Sequence, residues 1–220
     1  MRTITLVTQK GGTGKTTIAA SLAVAAAAAG ESVVALDLDA QGSLANWGGA
    51  RGSESVAVDQ VGPEYLPRLP EVLEALKGRG FTLAILDTAG VENTGGNLAM
   101  KAATLCLVPA RPSRLDLQAT LPTLESLMRL GMRENFAFVL NQCPPGRGTR
   151  ASEAARGLAE FGVLADPPLA LRADHQDAMA TGMGVTEYAG KGKAADEIRL
   201  LWSWVDGKMR AQPANKEHRA

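Results

Sequence analysis

The sequence predicts an α/β fold, a doubly wound, mostly parallel sheet with helices on both faces. Three observations carry that expectation. Short, predominantly apolar runs alternate with longer helical stretches along the chain, as in a parallel sheet buried under helices. Glycine falls where helices should stop, at Gly30, Gly78, Gly131 and Gly162. The 220 residues suffice for one such domain with a full core and are short for two.

Taken in order, the first strand is expected at Thr3–Val7, leading through a glycine-rich turn into a helix over Lys15–Ala29. That helix is rich in alanine, the best helix former. Its apolar run from Ile18 to Ala29 is about a dozen residues, short of the roughly 20 that a bilayer span requires, so it reads as core. A second strand is expected at Ser32–Leu36, after which Gly48 to Gly62 is the least patterned stretch and reads as loop. A helix over Leu69–Lys77 precedes a strand at Leu83–Leu86, and one over Asn97–Ala102 precedes a strand at Thr104–Val108. A long helix, Asp116–Leu130, leads to a strand at Phe136–Leu140. Helices at Arg150–Phe161, Gln176–Thr181 and Ala194–Met209 follow, with a weaker strand near Leu169–Leu171. With neither repeat nor linker, the chain reads as one domain over 1–211 and a polar tail over 212–220.

Lysine plus arginine and aspartate plus glutamate both number 23, so no overall field draws the chain to nucleic acid or membrane; any such contact needs a local patch. Cys106 and Cys143 stand singly, without metal-ligand spacing, as small buried residues of a reducing compartment. The N-terminus enters a strand at once, without a signal segment, and the chain reads as cytoplasmic.

Residues 10–17 read Lys-Gly-Gly-Thr-Gly-Lys-Thr-Thr between a strand and a helix. Such a turn cradles polyphosphate, because backbone N–H groups point inward and the helix N-terminus adds a positive field. The ordinary pattern would place glycine at position 9, where this chain has Gln9, and an extra lysine, Lys10, precedes the glycines. Gly11, Gly12 and Gly14, with Thr13 among them, let the backbone wrap a β-phosphate. Lys15 then bridges the β- and γ-phosphates, the Thr16 hydroxyl is a magnesium ligand, and Thr17 reaches the α-phosphate.

Two acidic strand ends complete the expected site. Asp87 closes the apolar run Leu83–Leu86 and would hold Mg2+ through water. The pair Asp37 and Asp39 ends the second strand. Asp39 is the candidate for orienting the attacking water, and Asp37 for a structural or metal-shell role.

These stretches resemble the ParA/MinD group of deviant-Walker P-loop ATPases. The likeness rests on residues 10–17, on Asp-Leu-Asp-Ala-Gln-Gly-Ser at 37–43 and on Ile-Leu-Asp-Thr-Ala-Gly at 85–90. Leu107–Ser113 with Leu115 and Asp116, Phe138–Asn141, and Glu187–Ala195 extend it over nearly the whole chain. The form is the short, ParF-like one, without a helix-turn-helix module before the loop.

The resemblance implies a homodimer closed around ATP, with Lys10 crossing to the partner subunit's nucleotide and hydrolysis tied to dimerisation. It places base recognition on Asn141, with the loop from Pro109 to Pro112 near the adenine. It further implies non-specific DNA binding, with Arg147, Arg150, Arg172, Lys191 and Lys193 as contacts. The expected role is nucleoid-associated partition of plasmid or chromosome DNA, with hydrolysis stimulated by a small adaptor such as a ParB-like centromere-binding protein. Alternatives are positioning of protein clusters, assistance to conjugative transfer, or a metabolic ATP-dependent synthetase on the same scaffold. The polar C-terminal segment lacks the amphipathic face of a membrane anchor. Departures from the family pattern are Ala40, where relatives carry proline, and Asp-Thr-Ala-Gly without proline after Asp87.

Overall fold

A computed structural model of the chain describes residues 1–90, 94–146 and 149–211. The elements run β1 (Arg2–Leu6), α1 (Lys15–Ala28), β2 (Val33–Asp37), α2 (Ser43–Gly49), β3 (Val56–Gln60), α3 (Leu69–Gly78), β4 (Leu83–Asp87) and α4 (Thr94–Ala102). They continue with β5 (Leu105–Ala110), α5 (Arg114–Gln118), α6 (Leu121–Arg129), β6 (Phe136–Leu140), α7 (Thr149–Ala159), α8 (Ala173–Ala180), α9 (Val185–Tyr188) and α10 (Lys193–Ala211).

The six strands form one parallel sheet in the order β3-β2-β4-β1-β5-β6. Alternate strand residues feed two faces. Ile4, Leu6, Ala35, Ile85, Leu107 and Val139 meet α1, α2, α8 and α10 on one side. On the other, Val108, Phe138 and Leu140 meet α6 and α7, while Val34, Leu36 and Leu86 meet α3 and α4. The doubly wound α/β expectation holds. Among the described residues no helix is long and apolar enough to cross a membrane.

Besides the short helices α2 and α9, which are not among the expected ones, sequence expectation and structure part in three places. The stretch read as loop, 48–62, contains the end of α2 and the edge strand β3. β3 has one neighbour, and only Val56 of its residues is buried, so it lacks the continuous apolar run that marks the central strands. The long helix expected over Asp116–Leu130 is two helices. Ser113 caps the first by accepting from the Asp116 amide, and Pro122, in the first turn of the second, fixes a new start. Near Leu169–Leu171 there is a single bridge, Cys143 to Ala170, rather than a strand. The tail over 212–220 lies outside the described residues.

Candidate nucleotide-binding site

The chain winds from β1 to one side of the sheet and later crosses to β5 on the other. The crevice beyond the strands' carboxyl ends therefore opens at β1, where doubly wound folds bind ligands. The loop between β1 and α1 sits there. Gly12 and Gly14 take left-handed φ of 74° and 91°, which L side chains adopt at a cost. At Gly14 a Cβ would also stand 2.4 Å from Asn141 Nδ2, so that amide would have to shift. α1 begins with no side-chain cap and no acidic residue in its first turn, so its leading amides and dipole are free to meet an anion.

The two lysines of the loop part company. Lys15 is buried, its ammonium 3.4 Å from the Thr8 carbonyl oxygen. Burial pushes its pKa down, with Asp87 and Asp39 pulling the other way. Gly90 lies directly beyond, where a Cβ would stand 3.3 Å from that ammonium and 3.5 Å from the Gly11 backbone. Lys10 is exposed. Thr13, by contrast, is buried, and its hydroxyl donates to the Lys10 carbonyl at 3.4 Å.

Parallel register aligns Leu6, Asp87 and Asp37 at the ends of β1, β4 and β2. The Thr16 hydroxyl donates to Asp87 Oδ2 at 2.6 Å, whereas Asp87 Oδ1 is buried with no hydrogen-bond partner among the described residues. Burial, with Asp37 and Asp39 adding like charge, pushes the Asp87 pKa up to about 7 against the opposing effects of Thr16 and Lys15. An orphaned carboxylate oxygen beside a threonine hydroxyl is a donor set that fits a hard divalent cation such as Mg2+.

Asp37 is spent differently. Its oxygens accept from the amides of Asp39 at 2.9 Å, Leu44 at 2.8 Å and Ala45 at 3.0 Å, tying the start of α2 to the sheet. That geometry corresponds to the structural one of its two expected roles. Asp39 is partly exposed, with Oδ1 accepting from the Gln41 amide at 3.0 Å.

On the β6 side the loop is braced from below. Asn141 Nδ2 donates to the Thr13 carbonyl at 2.7 Å, and Gln142 Nε2 donates to the Gly12 carbonyl at 3.0 Å. Gln142 takes a left-handed φ of 54°, a strained backbone position for a non-glycine residue. A cleft of about 470 Å³, counting its open mouth, runs from Gly14, Thr17 and Ile18 past Asn141 and Gln142 to residues 169–172, His175, Gln176 and Ile198. Pro109 is inside β5, and neither it nor Pro112 lines this cleft, which is walled instead by the segment before α8.

Sequence reasoning missed Gln142, His175 and the 169–172 wall. No motif in their local sequence marks them: Gln142 follows β6, whereas the wall and His175 come from the stretch leading into α8.

Of the expected DNA contacts, Arg172 is engaged: Nη2 donates to Glu197 Oε1 at 2.6 Å and the residue lines the cleft. An arginine held this way presents less of its guanidinium to an external phosphate. Arg150 on α7 is exposed on one side of the sheet. Lys191 and Lys193 are exposed at the start of α10, which packs on the other, so the structure does not gather the three on one face. Arg147 lies outside the described residues.

Residues 4–193 match the family described as the CobQ/CobB/MinD/ParA nucleotide binding domain. The maintenance of carboxysome distribution protein A of Gloeobacter kilaueensis is 33% identical over 193 residues, covering 86% of each chain. Protein virC1 of Rhizobium rhizogenes is 30% identical over 175 residues, 76% of each chain. The crystal structure of the cell division ATPase MinD of Pyrococcus furiosus superposes with a TM-score of 0.77 at 25% identity, over 94% of this chain and 98% of that one. A match of this extent, on a parallel sheet with a glycine-rich loop at its switch point, is decisive: the chain belongs to the CobQ/CobB/MinD/ParA family of nucleotide-binding domains.

Proposed function

We propose that the chain is an ATP-hydrolysing positioning switch. In this reading ATP and Mg2+ hold two copies together, the assembled form coats DNA non-specifically, and a partner protein stimulates hydrolysis and release. The observation that carries it is the separation of the two loop lysines. Lys15 is buried within its own site, whereas Lys10, on the same loop, is exposed. A cation displayed this way is suited to a second subunit's nucleotide, where it would offset charge developing on the phosphates.

Within one subunit, the amides of the glycine loop and the N-terminus of α1 bind the phosphates, and Lys15 places a desolvated charge against the β- and γ-phosphates. Thr16 and Asp87 would hold Mg2+, which when bound neutralises phosphate charge. Asp39 would accept from and orient the attacking water, and Asn141, with its loop, the adenine. The likeness to a protein that maintains carboxysome distribution adds carboxysomes to DNA as candidate cargo. The adaptor would be correspondingly a ParB-like DNA-binding protein or a cargo-bound one, at the nucleoid in either case.

The test is retardation of non-specific duplex DNA at low salt, with light scattering for mass. ATP should double the mass and retard DNA, and ADP should do neither. Asp39→Ala should remain dimeric and DNA-bound because it does not turn over. Wild-type protein that ignores DNA in the presence of ATP would remove the DNA part of this reading. Normal turnover by Asp39→Ala would remove that residue's role. Stimulation by a small carboxylate instead of by DNA and a partner would favour the synthetase alternative.

A further inference from the structure

We propose that His175 reads the nucleoside half of the ligand, its ring hydrogen-bonding a base edge or a ribose hydroxyl in the cleft behind the phosphate loop. The inference rests on the ATP reading above and adds a residue that no sequence motif contains.

Both ring nitrogens of His175 are enclosed, and neither has a hydrogen-bond partner among the described residues. Buried polar atoms in native proteins are almost always paired, so an imidazole with two orphaned nitrogens marks a missing partner. Its charged neighbours do not supply one, because the Arg172 guanidinium is bound to Glu197. The wall itself is fixed, since the Ala170 amide also donates to Glu197 Oε2 at 3.1 Å. His175 is therefore held at the edge of a preformed cleft.

The kind of partner follows from charge. Burial lowers the pKa of His175, and Arg172 lowers it further, while Glu197 and Asp174 pull it up; the net direction is down. The ring is neutral at pH 7, with one nitrogen a donor and the other an acceptor. A neutral ring is a poor phosphate ligand and a good match for the mixed donors and acceptors of a nucleoside. The cleft fits the same occupant. Ile18, Leu169 and Ile198 supply apolar walls for a flat ring, while Gly14 and Thr17 connect it to the phosphate loop.

The experiment measures equilibrium binding of ATP, 2′-deoxyATP, inosine triphosphate and inorganic tripolyphosphate to the full chain and to His175→Leu and His175→Gln. His175→Leu should weaken ATP about tenfold, the effect of one lost hydrogen bond with its partner left buried. Tripolyphosphate should be unaffected, and His175→Gln, which keeps a donor and an acceptor, should recover most of the loss. Loss of the preference for ATP over 2′-deoxyATP assigns the contact to the ribose, and loss of the preference over inosine triphosphate assigns it to the base.

Unchanged ATP affinity in His175→Leu overturns the proposal, as does an equal loss for ATP and tripolyphosphate. Should His175→Leu fail to fold, the ring ¹⁵N resonances of His175 in wild-type protein decide. They should move on adding ADP, and resonances that stay put overturn the proposal. Wild-type protein that binds ATP no better than tripolyphosphate, with His175→Leu unchanged, overturns this inference alone, and wild-type protein that does not bind ATP overturns the ATP reading with it.

Discussion

On the β2–β4–β1 side of the carboxyl edge, the candidate site is made of charge: Lys15, Asp37, Asp39 and Asp87, delivered by unbroken stretches of sequence at strand ends. On the β5–β6 side it is made of braces and walls. Asn141 and Gln142 hold carbonyls of the phosphate loop, and Glu197 holds residues 170 and 172. The first half gains its affinity from electrostatics in a dry setting. The second holds the loop in one shape, which lowers the ordering that a ligand must otherwise impose. One site therefore uses both strong local charge and distributed positioning, and the two respond differently to substitution.

The most disruptive change falls on the charged half. Lys15→Ala should weaken ATP at least about a thousandfold, roughly 4 kcal/mol, in titrations with fluorescent nucleotide. Its thermal stability should not fall, because Lys15 is a cation buried against its own preference. A variant that loses stability and affinity together would blur the division between the halves.

Asp87→Asn tests the electrostatic tension in the same half. With a folded pKa pushed up to about 7, Asp87 holds a proton at pH values where the unfolded chain has lost it. Stability therefore falls as pH rises from the ordinary aspartate range to about 7, and the penalty is complete above that. Asp87→Asn should stabilise the magnesium-free protein at pH 8, by up to about 4 kcal/mol, and leave it unchanged near pH 4. Urea unfolding at the two pH values reads the difference directly.

The junction of the halves is Gly14. Its left-handed φ disfavours any side chain, and a methyl group there would push the Asn141 amide off the loop carbonyl that it braces. Gly14→Ala should cost about 1–3 kcal/mol in urea unfolding and weaken nucleotide binding as well. Gln142→Ala removes one brace and should be the mildest, about 1 kcal/mol or fivefold in ATP affinity by titration. A larger effect than that of Gly14→Ala would mean that Gln142 touches ligand as well as loop.

The same division explains what could be read in the sequence. The charged half was legible because glycine spacing, the loop lysine and strand-end aspartates are each local patterns, and the central strands announce themselves by burial on both faces. The braced half was not. Gln142, His175 and Glu197 converge from three segments with no shared period, and Arg172 reads as a surface cation until its partner on α10 is seen. Asn141 was found, but its donor goes to the Thr13 carbonyl, a contact no spacing rule predicts. β3 was missed because an edge strand with one neighbour and mostly exposed side chains does not need the apolar run that betrays β1 or β4.

Glu197 and Ile198 sit on α10, just beyond residue 193, where the match to the family ends. A fragment cut after residue 193 would keep every residue of the glycine loop and all six strands. It would nevertheless lose a wall of the cleft, the clamp on residues 170 and 172, and the core residues Leu201, Trp202 and Val205. The natural cutting point for any shortened version of this protein therefore lies after α10, and a boundary drawn from family likeness alone would pass through the ligand site.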